Sequence, residues 1–287
     1  MGFRVNTNVD ALKAYQQLAN ANKMTAKSQL RMASGKRILN VADDTSGFNI
    51  GTSLKGKVAV MKGAQGNISS AKNLLSTAEG SLLAINDLVT KIEGKLSDST
   101  NPTTDRTSLS NDIKALANEI KSTFENTKFN DTKLLNSTEA GSGFIFQVGE
   151  SGDTLKLDFA SSIASSAGQT TALTGQIKSF TDVTAATLST TTSGQGVDVL
   201  NTVLGVLKST VTNALGKIGN FSQRLDIKDD TLNVAITNAE STISRLFDAD
   251  MAQEQLNATK GSILQQSATA MFSQLNFAPQ QVLQLFG

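Results

Sequence analysis

The chain contains no cysteine, no histidine and no tryptophan, and it has one tyrosine and two prolines in 287 residues. Histidine is the most common general base, and histidine and cysteine supply the usual protein ligands of zinc and haem. Their absence excludes ordinary zinc, haem and cysteine chemistry. The sequence therefore predicts a protein that is not an enzyme and that uses no metal and no cofactor.

Weak net charge and short apolar runs exclude two further classes. A net charge of +1 gives no general electrostatic reason to bind nucleic acid, for which a strongly basic face is expected. No run approaches the roughly 18 apolar residues of a membrane span, so we expect no membrane insertion. The first residues, Met1 to Thr7, lack the uninterrupted apolar stretch of a secretory signal. If the protein leaves the cytoplasm, we expect export without a cleaved signal peptide.

Long apolar rows are the main feature that is present. From Ile50 to Leu96, every position on an alternating four-then-three spacing is apolar except Lys57. A second row runs from Val197 to Ala249, with interruptions at Lys228 and Thr242. This spacing averages about 3.5 residues and keeps one side of a helix facing a partner helix. The rows predict two long helices that bury each other, the first an elongated rod of about 70 Å.

Shorter patterns divide the rest of the chain. A row from Val5 to Ala33 predicts a first helix that ends near Ser34 and Gly35, where glycine is the usual terminator. The next helix should begin by about Asp43. A further helix should follow Pro102, with Asp105 as its cap.

After that helix the pattern changes to a period of two. Apolar residues alternate with others on both sides of a turn at Gly149–Gly152, which predicts a β-hairpin; they are Phe144, Phe146, Val148, Leu155, Leu157 and Phe159. In the next stretch, Ser161–Gly196, 20 of 36 residues are Ser, Thr or Gly. Such a composition has too little apolar area for a core of its own, so we expect a surface insert.

The C-terminal segment differs from the rest because Gly261–Gly287 carries no charged side chain. Its apolar residues continue a four-then-three row through Leu264, Met271, Leu275, Val282 and Leu285. A long uncharged amphipathic helix is more often buried by partner helices than left in solvent. We therefore expect this segment to serve in assembly.

Four motifs carry a resemblance to a known family. Residues 34–47 read SGKRILNVADDTSG, residues 127–135 read TKFNDTKLL, residues 248–254 read DADMAQE, and residues 263–268 read ILQQSA. In these motifs the chain resembles bacterial flagellin, the subunit of the flagellar filament. The resemblance covers nearly all of residues 3–160 and 197–287.

The resemblance implies a mainly α fold, an elongated antiparallel helical coiled-coil rod with a small β-hairpin region. It implies an N-terminal assembly helix (1–45), rod helices with the hairpin (46–160), a Ser/Thr-rich surface insert (161–196), a returning rod helix (197–250) and a C-terminal assembly helix (251–287). The expected function is that of a structural subunit that polymerises into the flagellar filament for swimming motility.

The same resemblance implies the partners and the location. We expect a homo-polymer with other flagellin subunits, the flagellar export apparatus and its chaperone, and the filament cap and hook-junction proteins. The location would be the secreted, extracellular flagellum. The residues expected at subunit contacts lie in the terminal segments; they are Val5, Val9, Leu12, Arg31, Arg37, Asp43, Asp44, Leu264, Met271, Leu275, Val282 and Leu285.

Several alternatives stay open. A hook-filament junction protein shares the terminal architecture, but such proteins usually read Ser-Asp-Asp-Pro where this chain has Ala42–Thr45. A secreted coiled-coil translocator needs an apolar hairpin that enters lipid, and the middle of this chain is Ser/Thr-rich instead. Asp43 and Asp44 either start a helix or meet basic residues of another subunit. The stripe formed by Lys23, Lys27 and Arg31 is either a solvated face or a contact with acidic partners.

Overall fold

The computed structural model describes residues 9–101, 103–135, 143–150, 152–158, 169–188 and 195–286, without the side chains of 169–174, 195 and 276–286. The helices are α1 (Val9–Ser34), α2 (Thr45–Asp98), α3 (Arg106–Asn126), α4 (Gln169–Thr181), α5 (Gln195–Phe247) and α6 (Met251–Phe286), and the strands are β1 (Lys128–Phe129), β2 (Thr132–Lys133), β3 (Phe144–Gln147) and β4 (Thr154–Leu157). The described residues form two compact units, within Met1–Val58 plus Thr237–Gly287 and within Ala59–Ile236.

The core of the unit within Ala59–Ile236 is built on the two predicted rows. Every row position of α2 from Met61 to Leu96 is buried, and so is every row position of α5 from Val197 to Ile218. Helix α5 runs antiparallel to α2, because positions that come later in one helix pair with positions that come earlier in the other. Lys208 Nζ lies 2.8 Å from Glu93 and Lys72 Nζ lies 2.8 Å from Asp226. The predicted antiparallel pair of long helices is confirmed.

The predicted apolar rows are wrong near the start of α2 and in the C-terminal part of α5. Ile50 and Ala235 are exposed, whereas Gly51, Val58 and Ile236 are buried. In α5 the shift from Ala235 to Ile236 agrees with a helix of about 3.6 residues per turn, because a strict row with a period of 3.5 falls behind the buried side. In α2 the buried position is Gly51 rather than Ile50 because the Phe247 ring lies against it.

The predicted helix boundaries are confirmed. Helix α1 ends at Ser34, and Gly35 follows with φ +68°. The side chain of Asp105 caps α3 by accepting a hydrogen bond from the backbone N–H of Thr107 at 2.9 Å. Hydrogen bonds from the Ser108 hydroxyl and from that N–H lower the pKa of Asp105.

The predicted β-hairpin is confirmed as β3 and β4, which pair antiparallel with Phe144 opposite Leu157. Phe159 lies outside the described residues. Two side-chain contacts hold the hairpin against the long helices. Asn67 of α2 donates a hydrogen bond to the carbonyl of Gln147 at 3.2 Å, and Lys228 of α5 pairs with Asp153 at 2.7 Å.

One helix was not foreseen from the sequence. Helix α4 and the turn after it lie inside the stretch predicted as a surface insert, and four of their side chains are buried: Ile177, Phe180, Val183 and Leu188. Helix α4 contacts α3, and Arg106 Nε donates to the carbonyl of Leu188 at 3.1 Å. Average composition conceals these apolar positions, because serine and threonine surround them. Residues 161–168 and 189–194 lie outside the description.

Two adjacent leucines of α2 allow a matched test of the seam. Leu82 is 1% exposed and Leu83 is 48% exposed. We expect Leu82→Ala to lower the free energy of unfolding by about 2 to 5 kcal/mol, through lost burial and the cavity that remains. Leu83→Ala should change it by less than about 1 kcal/mol. Denaturant unfolding of both variants measures the difference, and equal losses would contradict the assignment of the seam.

Candidate functional site

Two turns meet in the unit that holds the terminal helices. The turn after α1 lies beside the junction of α5 and α6, where a short antiparallel bridge pairs Lys36 with Asp248. The backbone N–H of Arg37 donates to the carbonyl of Phe247 at 2.7 Å, and that of Ala249 donates to the carbonyl of Gly35 at 2.9 Å. The Arg37 guanidinium also donates to the carbonyl of Leu246 at 3.0 Å. These bonds fix the end of α1 to the start of α6.

Asp43 and Asp44 have different tasks at the start of α2. One carboxylate oxygen of Asp43 accepts hydrogen bonds from the backbone N–H groups of Leu39 and Asn40, and the other lies 2.7 Å from Lys27 Nζ. The hydrogen bond from Lys27, followed by those from the two N–H groups, lowers the pKa of Asp43 from 3.8 to about 2. Asp44 accepts a hydrogen bond from Gly47 N at 2.8 Å and so caps α2.

Phe247 closes the apolar side of the same turn. Its ring is buried, lies 6.1 Å from the ring of Phe48 in an edge-to-face arrangement, and has Lys55 Nζ 4.1 Å from its centroid. A Cβ placed on Gly51 would overlap the Phe247 ring. Glycine at position 51 therefore makes room for this ring.

One ion pair joins α1 and α6 directly. Arg31 Nη1 is 3.1 Å from Glu254 Oε1, with Glu254 almost completely buried. Arg31 stands in the last turn of α1 and Glu254 in the first turn of α6, so each charge also complements the dipole of its own helix. Arg31 Nε and Glu254 Oε2 are buried without a hydrogen-bond partner in the described part of the chain.

Small residues fill the interface between α1 and α6. Ala21, Thr25 and Ser28 are buried on α1, and Ala258 is buried on α6. A Cβ placed on Gly261 would overlap the side chain of Thr25, so glycine allows the two helices to approach closely there. Small side chains remove little apolar area from water, so this interface stabilises the helix pair less per residue than the seam of α2 and α5.

The apolar row predicted for α1 lies away from this interface. Leu12 is 67% exposed, and Val9 and Leu30 are exposed as well. On α6, Leu264, Ala268 and Met271 line a cavity of about 380 Å³, whose other wall comes from residues of α1, including Met24. The ring of Tyr15 lies 6.5 Å from that of Phe272. The terminal helices thus keep much of their apolar surface in contact with solvent.

The structure distributes the predicted contact residues over three places. The turn cluster contains Arg37, Asp43 and Asp44, with Arg31 in the adjacent ion pair. Val9 and Leu12 are exposed on α1, while Leu264 and Met271 line the cavity and Leu275 is half-buried. Val5 and the side chains of Val282 and Leu285 lie outside the description.

The sequence analysis did not identify three residues that build this region: Gly51, Phe247 and Gly261. The predicted row placed Leu246 rather than Phe247 on the buried side, and no periodic signal marks a glycine that makes room for a neighbour. Glu254 falls inside the DADMAQE motif, but its pairing with Arg31 needed the structure.

Within the described ranges, no group of three or more Asp or Glu side chains is arranged to hold a metal ion. The same ranges contain no helix long and apolar enough to cross a membrane. The chemistry of the region is that of helix contacts and turn-stabilising ion pairs.

Comparison with known proteins identifies the class of protein to which this arrangement belongs. Residues 5–140 match the family model for the bacterial flagellin N-terminal helical region, and residues 202–286 match the model for the C-terminal helical region. The chain belongs to the bacterial flagellin family. It is a structural subunit of the flagellar filament.

Relatives of similar length agree with this assignment. The chain is 27% identical to the flagellin of Listeria monocytogenes over 290 residues, with 99% of each chain covered. It is 27% identical to the flagellin of Bacillus subtilis over 302 residues, again with 99% of each covered. It is also 27% identical to the flagellar filament 33 kDa core protein of Treponema phagedenis, with 98% and 99% covered.

A solved structure shares the fold. A putative flagellar hook-associated protein from Vibrio parahaemolyticus superimposes with a TM-score of 0.55 at 15% identity, covering 72% of this chain and all of that one. At this identity the likeness concerns the fold alone. The mainly α fold with a small β region, expected from the sequence, is confirmed.

The low pKa of Asp43 predicts how acid affects the turn. Its folded-state pKa of about 2 lies below its ordinary value of 3.8, so the ionised carboxylate stabilises the folded protein above about pH 4 and stops doing so as the pH falls towards 2. We expect Asp43→Asn to lower the thermal midpoint at pH 7 and to behave like the wild type near pH 2.

The control for this prediction is Asp10→Asn, because Asp10 is exposed and its contact with Lys13 is long at 4.0 Å. Thermal unfolding followed from pH 2 to pH 7 makes the comparison. A constant difference between Asp43→Asn and wild type over that range would show that the carboxylate charge is not the cause.

Proposed function

We propose that the exposed apolar rows of α1 and α6 are the surfaces by which this flagellin subunit joins its neighbours in the filament. The observation that carries the proposal is the position of the α1 row. Val9, Leu12 and Leu30 are exposed, although α1 already packs against α6 through its other side. Apolar side chains on a second side of a paired helix favour contact with a further helix.

The absence of charge on α6 from Gly261 onward supports the same proposal. From Gly261 onward the chain has no Lys, Arg, Asp or Glu, so packing this part of α6 against another copy removes none of its own side-chain charges from water. Burial of one Leu, Val or Met side chain stabilises a contact by about 1.5 to 3 kcal/mol. Each subunit carries several of these residues, so the stabilisation adds up over the contacts between neighbouring subunits in the filament.

The charged residues of the predicted set enter the proposal in another way. Arg31, Arg37, Asp43 and Asp44 each have a partner within the chain. We infer that they hold the turn from which α1 and α6 extend, and so present the two apolar rows together. Their contact with another subunit stays a prediction.

We extend the proposal to the organisation of the chain and to its partners. Residues 1–45 and 251–287 would serve assembly, residues 46–160 and 197–250 would form the rod, and residues 161–196 would be the insert. Membership of the flagellin family supports export through the flagellar apparatus with a chaperone and without a cleaved signal peptide. It also supports contact with the filament cap and hook-junction proteins.

A charge on the exposed row tests the proposal. We expect Leu12→Glu to leave the thermal midpoint of the subunit unchanged within experimental error, because Leu12 is mostly exposed and surface substitutions change stability by about 0.5 kcal/mol or less. The same variant should fail to polymerise, since a carboxylate would be buried between copies. Seeded polymerisation, followed by sedimentation and electron microscopy, is the measurement.

Leu12→Met is the matched control, because it keeps an apolar side chain of similar size. It should polymerise as the wild type does. Normal filaments from Leu12→Glu would contradict the role of the α1 row, and a large fall in its thermal midpoint would place Leu12 in the core of the subunit instead.

A further inference from the structure

Helix α5 carries a second row on the side opposite its buried seam. The row follows an alternating three-then-four spacing from Val199 through Thr202 and Val206 to Ile227, and each of its residues is exposed and uncharged. Val199, Val206 and Ile227 keep 57%, 46% and 64% of their surface in solvent. We call it the outer row of α5. An exposed, uncharged helix face with β-branched residues separated by multiples of seven fits contact with another helix.

Helix α2 carries a matching row of small residues. On the four-then-three spacing from Ala59 to Ala84, each residue is Gly, Ala, Ser, Asn or Thr, and we call it the outer row of α2. It includes Gly63, Gly66 and Gly80, and a Cβ placed on any of the three meets no atom within 4 Å. Glycine weakens a helix interior, and nothing in the described part of the subunit requires it at these positions.

We propose that the outer row of α5 in one copy packs into the outer row of α2 in a second copy. The inference rests on the proposed function, because it describes a contact within the polymer. Valine and isoleucine are rigid at χ1 and fit above positions where glycine lets two helices approach closely. Neither row carries a charge, so the contact removes no ionised group from water.

The lengths of the two rows support this pairing. At about 1.5 Å per residue, Ala59–Ala84 and Val199–Ile227 each extend for about 40 Å. The α5 row supplies three large apolar side chains, Val199, Val206 and Ile227, and the α2 row supplies space for them. Two α2 rows would leave gaps between small residues, because neither row supplies a large side chain.

The pairing also has the symmetry that a filament needs. Each copy offers two different surfaces, so a contact uses the α5 row of one copy and the α2 row of the next. The unused row at either end accepts a further copy, and growth continues unless a ring closes. A contact of α5 with α5, or of α2 with α2, would be complete in a dimer.

Filling the α2 row provides the first test. Leucine is a far better helix former than glycine, so Gly66→Leu should keep or raise the thermal midpoint of the subunit. The same variant should raise the critical concentration for polymerisation at least tenfold, because its side chain occupies the space meant for α5. Ile227→Lys should raise it similarly from the other side of the contact.

Gly94→Leu is the matched control. Gly94 is an exposed glycine of α2 with no atom within 4 Å of an added Cβ, and it lies beyond the uncharged row, after Asp87 and Lys91. This variant should polymerise as the wild type does. An unchanged critical concentration for Gly66→Leu would overturn the inference, whereas failure of the wild-type chain to polymerise would contradict the proposed function instead.

Cross-linking identifies which rows meet. Because the chain has no cysteine, Ser70→Cys and Asn213→Cys place single thiols in the α2 row and in the α5 row. The two variants are polymerised together and treated with a short thiol-reactive cross-linker. We expect a covalent dimer that contains one copy of each variant. Products that join only like variants, or filaments without the mixed product, would overturn the pairing.

Discussion

The apolar seam between α2 and α5 is the interaction on which the rest of the unit within Ala59–Ile236 depends. The β3–β4 hairpin contacts these two helices through Asn67 and Lys228, and Lys95 of α2 pairs with Asp112 of α3 at 2.7 Å. Helix α4 in turn contacts α3. The β3–β4 hairpin, α3 and α4 are thus placed, directly or through a neighbour, by the antiparallel helix pair.

The terminal unit uses a different physical solution. Its helices meet through small residues, one partly buried ion pair and a turn cluster that joins Gly35–Arg37 to Phe247–Ala249. Such an interface buries little apolar area of its own. The large apolar residues of α1 are exposed instead. In a structural subunit, this division leaves the side chains that stabilise contacts most strongly available to other copies.

The sequence predicted the parts of the fold that depend on period and on local capping. Long regular rows identified α2 and α5, Gly35 and Asp105 marked helix ends, and alternation identified the hairpin. Helix α4 was missed because its few apolar residues are diluted by serine and threonine. The shift from Ile50 to Gly51 was missed because a glycine that accommodates Phe247 gives no hydrophobic signal. The partners of Arg31 and Asp43 are distant in sequence or irregularly spaced, so only coordinates could pair them.

The central claim is that exposed apolar residues of this flagellin become buried between copies, and thiol accessibility tests it most directly. A single cysteine at Leu30→Cys is labelled with a maleimide in free subunits and in filaments, with Thr103→Cys as an exposed reference in the α2–α3 loop. The account predicts that position 30 reacts readily in the subunit and at least tenfold more slowly in the filament, relative to position 103. Equal relative rates in both states would contradict it.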